Sequence, residues 1–151
     1  MTNPSLLPLS WDDIERDARI LAGKLEALAP FTGILAVTRG GLAPALLVAQ
    51  IMDIRTIETI GLSSYQDRQA RDMTLVKPAS ADLKDGAGWL VIDDLADTGA
   101  TFKAVRSRFP QAQYAALYAK PLGKPHVDLY VSDVEQAVWL VFPWEKLSHI
   151  P

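Results

Sequence analysis

The sequence contains no cysteine among its 151 residues. Disulfides, zinc–thiolate sites and cysteine nucleophiles are therefore excluded. A chain without cysteine suits a reducing compartment such as the cytoplasm.

Long apolar runs and an excess of basic charge are also missing. No run approaches the roughly 18 residues that a membrane-spanning helix needs, and no basic segment precedes an apolar core at the N-terminus, so we expect no signal peptide. The formal net charge is −3 and the pI is near 5.3. This acidic balance disfavours a non-specific nucleic-acid binder, although a few well-placed arginines can still bind an anionic substrate.

The remaining composition is that of a globular protein. Hydrophobic residues make up 49% and charged residues 22% of the chain, and the length predicts one domain over residues 1–151 with a sizeable core. We expect disorder only in the first few residues, where the segment MTNPSLLPLS carries two prolines and no charge.

Short apolar runs alternate with helical patterns along the chain. A capping box at Ser10 and Asp13 predicts the start of the first helix. Continuous apolar strands that alternate with helices predict an α/β fold with a mostly parallel central sheet flanked by helices. The predicted strands are 33–38, 56–62, 89–92, 112–119 and 127–131, the predicted helices are 10–28, 42–53 and 101–109, and a long loop is predicted at 65–88.

The stretch WLVIDDLADTGAT places two adjacent acids, Asp93 and Asp94, directly after a buried strand. Neighbouring carboxylates repel each other and are costly at the edge of a core, so a binding role is favoured over a simple helix cap. The segment from Thr98 to Thr101 would open a helix, where free N–H groups and two hydroxyls suit a phosphate monoester. The two acids would then bind sugar hydroxyls or a divalent cation such as Mg²⁺. The turn TRGG follows another strand, so both segments should face one crevice at the carboxyl edge of the sheet.

The stretch VIDDLADTGAT resembles the phosphoribosyl pyrophosphate motif of the type I phosphoribosyltransferases. The segments ILAVTRGGLAPA, SSY, YAKPLGKPHVDLYV and VWLVFPWE are similar, in order and spacing, to the bacterial xanthine-guanine branch of that family. The resemblance covers roughly Trp11 to Glu145.

The resemblance implies the type I phosphoribosyltransferase fold, with a small hood built from the terminal segments. It also implies a Mg²⁺-dependent purine-salvage enzyme. Such an enzyme moves ribose 5-phosphate from phosphoribosyl pyrophosphate to N9 of guanine, xanthine or hypoxanthine and releases pyrophosphate.

The resemblance assigns a role to each matched residue of the donor site. Arg39 and Gly40 match the loop that binds pyrophosphate, Arg71 matches a second pyrophosphate arginine on the long loop, and Asp94 matches the best Mg²⁺ ligand. The implied donor-binding residues are Arg39, Gly40, Arg71, Asp93, Asp94, Leu95, Ala96, Asp97, Thr98, Gly99, Ala100 and Thr101.

The resemblance likewise assigns the base site. Asp97 matches the catalytic acid–base group near purine N7, and Lys120 matches the donor to the purine 6-oxo group, which would select against adenine. Trp139 and Leu140 match the pair that stacks on the base and contacts its 2-substituent through the backbone. His126 and His149 match no catalytic residue, and we expect structural or surface roles for both.

Ala96 and Ala100 depart from close relatives, and we expect the cradle to form with slightly different packing. The short tail after Glu145 also departs from them, which leaves base preference and assembly open. The resemblance suggests a homodimer or homotetramer, with the loop after RGG and the first helix as contact surfaces. It also suggests a cytoplasmic location, with peripheral attachment at the inner membrane left open. Three other functions remain: a transferase for another base, a regulator that binds nucleotide or phosphoribosyl pyrophosphate, and an α/β scaffold without a ligand.

Overall fold

The structure, a computed structural model, describes residues 3–64, 73–146, 148, 150 and 151. Its helices and strands alternate along the chain, as predicted. The helices are α1 (Trp11–Leu25), α2 (Leu42–Met52) and α3 (Ala100–Arg108), and the strands are β1 (Ser5–Pro8), β2 (Gly33–Thr38), β3 (Ile57–Ser64), β4 (Met73–Lys77), β5 (Trp89–Ala96), β6 (Gln113–Ala119), β7 (Leu129–Asp133) and β8 (Val138–Val141).

Six of these strands form the central sheet, in the order β4-β3-β2-β5-β6-β7. Every neighbouring pair is parallel except β3 and β4. The predicted α/β fold with a mostly parallel sheet is therefore confirmed. Because β2 and β5 are adjacent and parallel, with Ala36 opposite Ile92, the two predicted binding segments leave the sheet side by side.

Both faces of this sheet are covered, which explains why its inner strands are almost wholly apolar. One core cluster joins the sheet to α1 and α2 and includes Ile14, Leu21, Val48 and Ile92. The other cluster, which includes Phe102, lies on the side of α3. The site at the edge of the sheet therefore stands on a rigid, doubly packed layer.

The capping box of α1 forms as predicted. The Ser10 side chain accepts a hydrogen bond from the Asp13 N–H at 3.1 Å, and Asp13 accepts one from the Ser10 N–H at 2.8 Å. The helix ends at Leu25, and a 3-10 turn follows over Glu26–Leu28. Leu28, the last residue of the predicted helix 10–28, lies in that turn and is exposed.

The sequence-based strand assignment is wrong in two places. The long loop predicted at 65–88 contains β4, an exposed antiparallel edge strand whose residues form no continuous apolar run. The N-terminal segment expected to be disordered contains β1, which pairs in parallel with β8. This two-stranded sheet joins a segment near each end of the chain and corresponds to the hood that the resemblance implies.

None of the helices in the described part of the chain has the length and apolar character that crossing a membrane requires.

Candidate functional site

A cleft of about 640 Å³ lies where β2 and β5 end. Arg39 and Gly40 line it from the exit of β2, and Asp93 and Asp94 line it from the end of β5. The hood contributes Trp139 to the lining of the cleft. The structure thus brings together residues that lie about 100 positions apart in the sequence, from 39 to 139.

Gly40 is required by a close approach between the two loops. A Cβ atom at this position would lie 2.3 Å from Oδ2 of Asp94, which is too close for any side chain. The peptide bond between Thr38 and Arg39 is cis, and the Arg39 side chain is exposed at the mouth of the cleft. A guanidinium in this position can bind an anion such as pyrophosphate.

The neighbouring carboxylates of Asp93 and Asp94 repel each other when both are ionised. The Asp94 N–H donates a hydrogen bond of 2.9 Å to Oδ1 of Asp93. Burial, together with the neighbouring Asp94 carboxylate, holds the pKa of Asp93 well above its ordinary value. Burial also raises the pKa of Asp94 to about 6, and the nearby charge of Glu145 acts in the same direction. Both anions would be stabilised by a cation or by hydroxyl donors on a ligand.

A second, smaller hollow of about 70 Å³ follows the acids and is lined by the residues at the start of α3. Gly99 caps this helix with a φ of +86°, a conformation that disfavours a side chain. A Cβ at Gly99 would also lie 2.2 Å from Cδ2 of His126. Here the Thr98 hydroxyl accepts a hydrogen bond of 3.3 Å from the Ala100 N–H. The geometry is that of an anion cradle at a helix N-terminus.

His126 lies beside the cradle, and its structural or surface role stays a prediction. Its half-buried ring packs over Gly99. His149 and Arg71 lie outside the described residues.

Asp97 and Lys120 form an ion pair beside the cradle. Lys120 is only 4% exposed, and its Nζ lies 3.4 Å from Oδ2 of Asp97. Lys120 is therefore not a solvent-exposed turn residue. Its charge is buried next to a carboxylate. An ammonium has three N–H donors, so Lys120 can donate to a ligand oxygen as well as to Asp97.

Gln136 is a site residue that the sequence did not reveal. Its Nε2 donates to Oδ1 of Asp97 at 2.9 Å, and its Oε1 accepts from the Leu122 N–H at 3.0 Å. The side chain thus joins three separate segments of the chain. A glutamine in the stretch VSDVEQAV carries no motif, so only the tertiary structure identifies it.

Trp139 and Leu140 point to opposite sides of β8, as neighbours in a strand must. Trp139 is 38% exposed and lines the cleft. Leu140 is buried in the core cluster beneath α1, so only its backbone is left for a contact with a ligand. The division agrees with the stacking and backbone roles that the resemblance assigns to this pair.

The segment after β8 also lines the cleft, which the sequence reading did not assign. Trp144 stacks on Phe142 with ring centroids 4.9 Å apart, and Trp144, Glu145 and Lys146 all border the cavity. The run VFPWE reads as core from its composition, since aromatic residues beside apolar ones are usually buried. The remaining residues of the matched motif, Leu95 and Ala96, complete β5.

These features define a class: a mainly parallel α/β protein whose sheet edge carries an acidic pair beside an anion cradle. The sequence profile of the family described as "Phosphoribosyl transferase domain" matches residues 10–146. The chain belongs to this phosphoribosyltransferase family.

Individual relatives agree with this membership. The xanthine-guanine phosphoribosyltransferase of Ruegeria sp. (strain TM1040) is 43% identical, over 95% of this chain and 90% of that protein. The crystal structure of a purine phosphoribosyltransferase from Pyrococcus horikoshii Ot3 has a TM-score of 0.82 at 32% identity and covers 95% of both chains. The xanthine-guanine-hypoxanthine phosphoribosyltransferase of Helicobacter pylori, with a TM-score of 0.73, 21% identity and coverage of 93% of this chain and 94% of that one, shares the fold.

Proposed function

We propose that this protein transfers ribose 5-phosphate from phosphoribosyl pyrophosphate to N9 of guanine, xanthine or hypoxanthine. The products are GMP, XMP or IMP and pyrophosphate. The observation that carries this proposal is one continuous edge on which an acidic pair, an anion cradle and a buried lysine–carboxylate pair stand side by side. The names of the 43% identical relatives support the purine acceptor.

The donor binds along the carboxyl edge of the sheet. The cradle from Thr98 to Thr101 receives the 5′-phosphate, because its N–H groups and helix dipole favour an anion. Arg39 and the backbone at Gly40 bind pyrophosphate, and Asp93 with Asp94 faces the ribose hydroxyls. Holding the leaving group and the nucleophile in line is the main catalytic device for an oxocarbenium-like transition state.

The acceptor base binds between the hood and the Asp97–Lys120 pair. Lys120 donates to the 6-oxo group, which adenine lacks. Asp97 takes the proton at N7 as the base becomes a nucleophile at N9. Trp139 stacks on the ring from the hood side. In the free protein Lys120 neutralises Asp97 at 3.4 Å, and the incoming base enters this contact.

The proposal includes Mg²⁺, and the residues present fit the ion. Two adjacent carboxylates with raised pKa values need a positive charge to be stable as anions. The described residues contain no group of three or more acids or histidines that could hold a metal by itself. Mg²⁺ commonly uses one or two carboxylates and completes its shell with substrate oxygens and water. Asp94 would hold the ion, which would neutralise the charge of the departing pyrophosphate.

The test is an assay of nucleotide formation. The protein is mixed with phosphoribosyl pyrophosphate and Mg²⁺, and guanine, xanthine, hypoxanthine, adenine and orotate are offered separately. We expect turnover of the three 6-oxopurines and its loss on addition of a chelator. No turnover of any 6-oxopurine would contradict the proposal, and binding of the donor without turnover of any base would instead favour the regulator.

We also propose that the protein is a homodimer or homotetramer. The exposed apolar side chains of Leu42 and Leu46 in α2, directly after the pyrophosphate loop, support a contact between subunits. Light scattering should give a mass of two or four chains, and Leu46→Glu should lower it. A wild-type monomer would contradict this part of the proposal.

The proposed location is the cytoplasm, and the absence of cysteine supports it. Fractionation of cells should find the protein in the soluble fraction. Recovery with membranes at low salt would favour peripheral attachment instead.

A further inference from the structure

We propose that Gln136 is a positioning residue that fixes the Asp97 carboxylate for proton transfer and ties the base pocket together. This inference rests on the proposed function, because it gives Gln136 a role in the chemistry assigned to Asp97. It concerns a residue that lies outside the matched motifs.

The amide of Gln136 has only one orientation that satisfies both of its neighbours. The Asp97 carboxylate can only accept a hydrogen bond, and the Leu122 N–H can only donate one. Nε2 therefore faces Oδ1 of Asp97 at 2.9 Å, and Oε1 faces the Leu122 nitrogen at 3.0 Å. A flipped amide would bring two acceptors together on one side and two donors on the other.

Because Gln136 occupies Oδ1, the two oxygens of Asp97 are no longer equivalent. Lys120 lies 3.4 Å from Oδ2, so the carboxylate is held between an amide and an ammonium. The amide cannot leave without losing its partner at Leu122, whereas Lys120 has a new acceptor once a 6-oxo group arrives. Oδ2 is therefore the oxygen that becomes free to take the purine proton.

Gln136 also connects the segments from which the base pocket is assembled. Asp97 follows β5, Leu122 lies in the turn after Lys120, and Gln136 itself lies in the connection between β7 and β8. Trp139 follows three residues later, on the strand that Gln136 precedes. One side chain thus fixes the relative positions of three elements. They are the proton acceptor Asp97, the turn that follows Lys120, and the start of the strand that carries Trp139.

The test uses two variants of nearly the same size. Gln136→Met removes all three hydrogen bonds of the side chain, including the one of 3.4 Å that Nε2 donates to the Asp97 carbonyl oxygen. Gln136→Glu keeps an acceptor for the Leu122 N–H but loses the donor to Asp97 and adds a like charge there. Gln111→Glu, on the exposed turn before β6, is the matched control and should behave as wild type.

We expect both Gln136 variants to lower kcat with guanine by about tenfold. A positioned acid–base group accelerates a reaction by roughly 100-fold to 10,000-fold, and misplacing Asp97 should cost part of that acceleration. The KM for phosphoribosyl pyrophosphate should stay within about twofold, because Arg39, Gly40 and the cradle from Thr98 to Thr101 make no hydrogen bond with the Gln136 side chain. Gln136→Glu should be the more impaired variant. An unchanged kcat, or an equal change in donor KM, would overturn the assignment.

A double-mutant cycle with Asp97→Ala separates positioning from general support of the fold. If Gln136 acts through Asp97, Gln136→Met should cause no further loss of kcat once Asp97 is alanine, and the changes in Tm should likewise fail to add. Fully additive effects on both quantities would overturn the inference.

The two proposals fail in different ways in these experiments. Absence of wild-type turnover with every 6-oxopurine would contradict the proposed function. The Tm cycle still reports on the coupling of Gln136 with Asp97 in that case, and additive Tm changes would then overturn the positioning role as well.

Discussion

The part of the site that we propose for the donor (the donor half) and the part that we propose for the acceptor base (the acceptor half) are built in different ways. The donor half consists of two loops that continue directly from adjacent strands, β2 and β5, of a sheet packed on both faces. The acceptor half is assembled from the end of β5, the turn after β6, the connection before β8 and the hood. The first half depends on local sequence, and the second depends on tertiary contacts.

We expect the donor half to determine the affinity for the donor and the acceptor half to determine the selectivity for the base. Phosphates can be bound by backbone N–H groups, so the donor half needs glycine and a helix start more than particular side chains. Recognition of a base edge needs side chains with a fixed donor or acceptor. Changes in the donor half should therefore weaken binding of the donor whichever base is offered. Changes in the acceptor half should alter turnover and the choice of base.

The largest expected effect is that of Asp97→Ala, which removes the proton acceptor. We expect kcat with guanine to fall by about 100-fold or more, since a positioned acid–base group contributes that much. Donor affinity, measured by calorimetry with Mg²⁺, should change by less than about threefold. If affinity collapsed while bound substrate was still turned over, Asp97 would belong to the donor half. Asp12→Ala, an exposed residue of α1, is the control.

Lys120→Met should have the next largest effect and should change selectivity. The buried ammonium is the donor that a 6-oxo group needs, so kcat/KM for guanine should fall by roughly 10-fold to 100-fold. The kcat/KM for adenine should fall much less, so the ratio of kcat/KM for guanine to that for adenine should decrease. Lys124→Met alters an exposed lysine of the same turn, paired with Asp133, and should leave both rates unchanged. Equal losses with both bases would contradict the assigned contact.

Gly40→Ala should affect the donor half alone. The added Cβ would meet Oδ2 of Asp94 at 2.3 Å, and overpacking of this kind costs about 1–3 kcal/mol. The KM for phosphoribosyl pyrophosphate should rise about tenfold, with the ranking of bases preserved. Gly23→Ala, where a Cβ meets nothing within 4 Å, should leave KM unchanged. A changed base ranking in Gly40→Ala would show that the two halves are coupled.

The same difference explains how far the sequence predicts the structure. The run GILAVT predicts strand β2 with its observed bounds, because its apolar residues are continuous and a glycine turn follows them. The acidic pair and the cradle were likewise readable, since their residues are contiguous. Strand β4 was missed because it is an exposed edge whose partner, β3, cannot be inferred from its own pattern.

In the acceptor half, residue types alone were uninformative. A lysine before a proline is usually solvated, yet Lys120 is buried because Asp97, 23 positions earlier, lies beside it. Gln136 lies 39 positions from Asp97, and the role that we propose for it follows only from the three hydrogen bonds that the fold creates. The family resemblance supplied Lys120 and Trp139, whereas Gln136 required the structure.

The smallest effect should come from Trp139→Leu, which tests whether the hood belongs to the acceptor half. Stacking of a base on an aromatic ring contributes about 1–3 kcal/mol, and leucine keeps part of the apolar contact. We therefore expect the KM for guanine to rise about threefold to tenfold, with kcat and donor KM nearly unchanged. Trp89→Leu is the matched control, because Trp89 packs over Gly33 at the opposite end of β5. That change should lower Tm without altering either KM. A rise in donor KM for Trp139→Leu would instead mean that the hood closes over both substrates, and the division of the cleft into two independent halves would then be wrong.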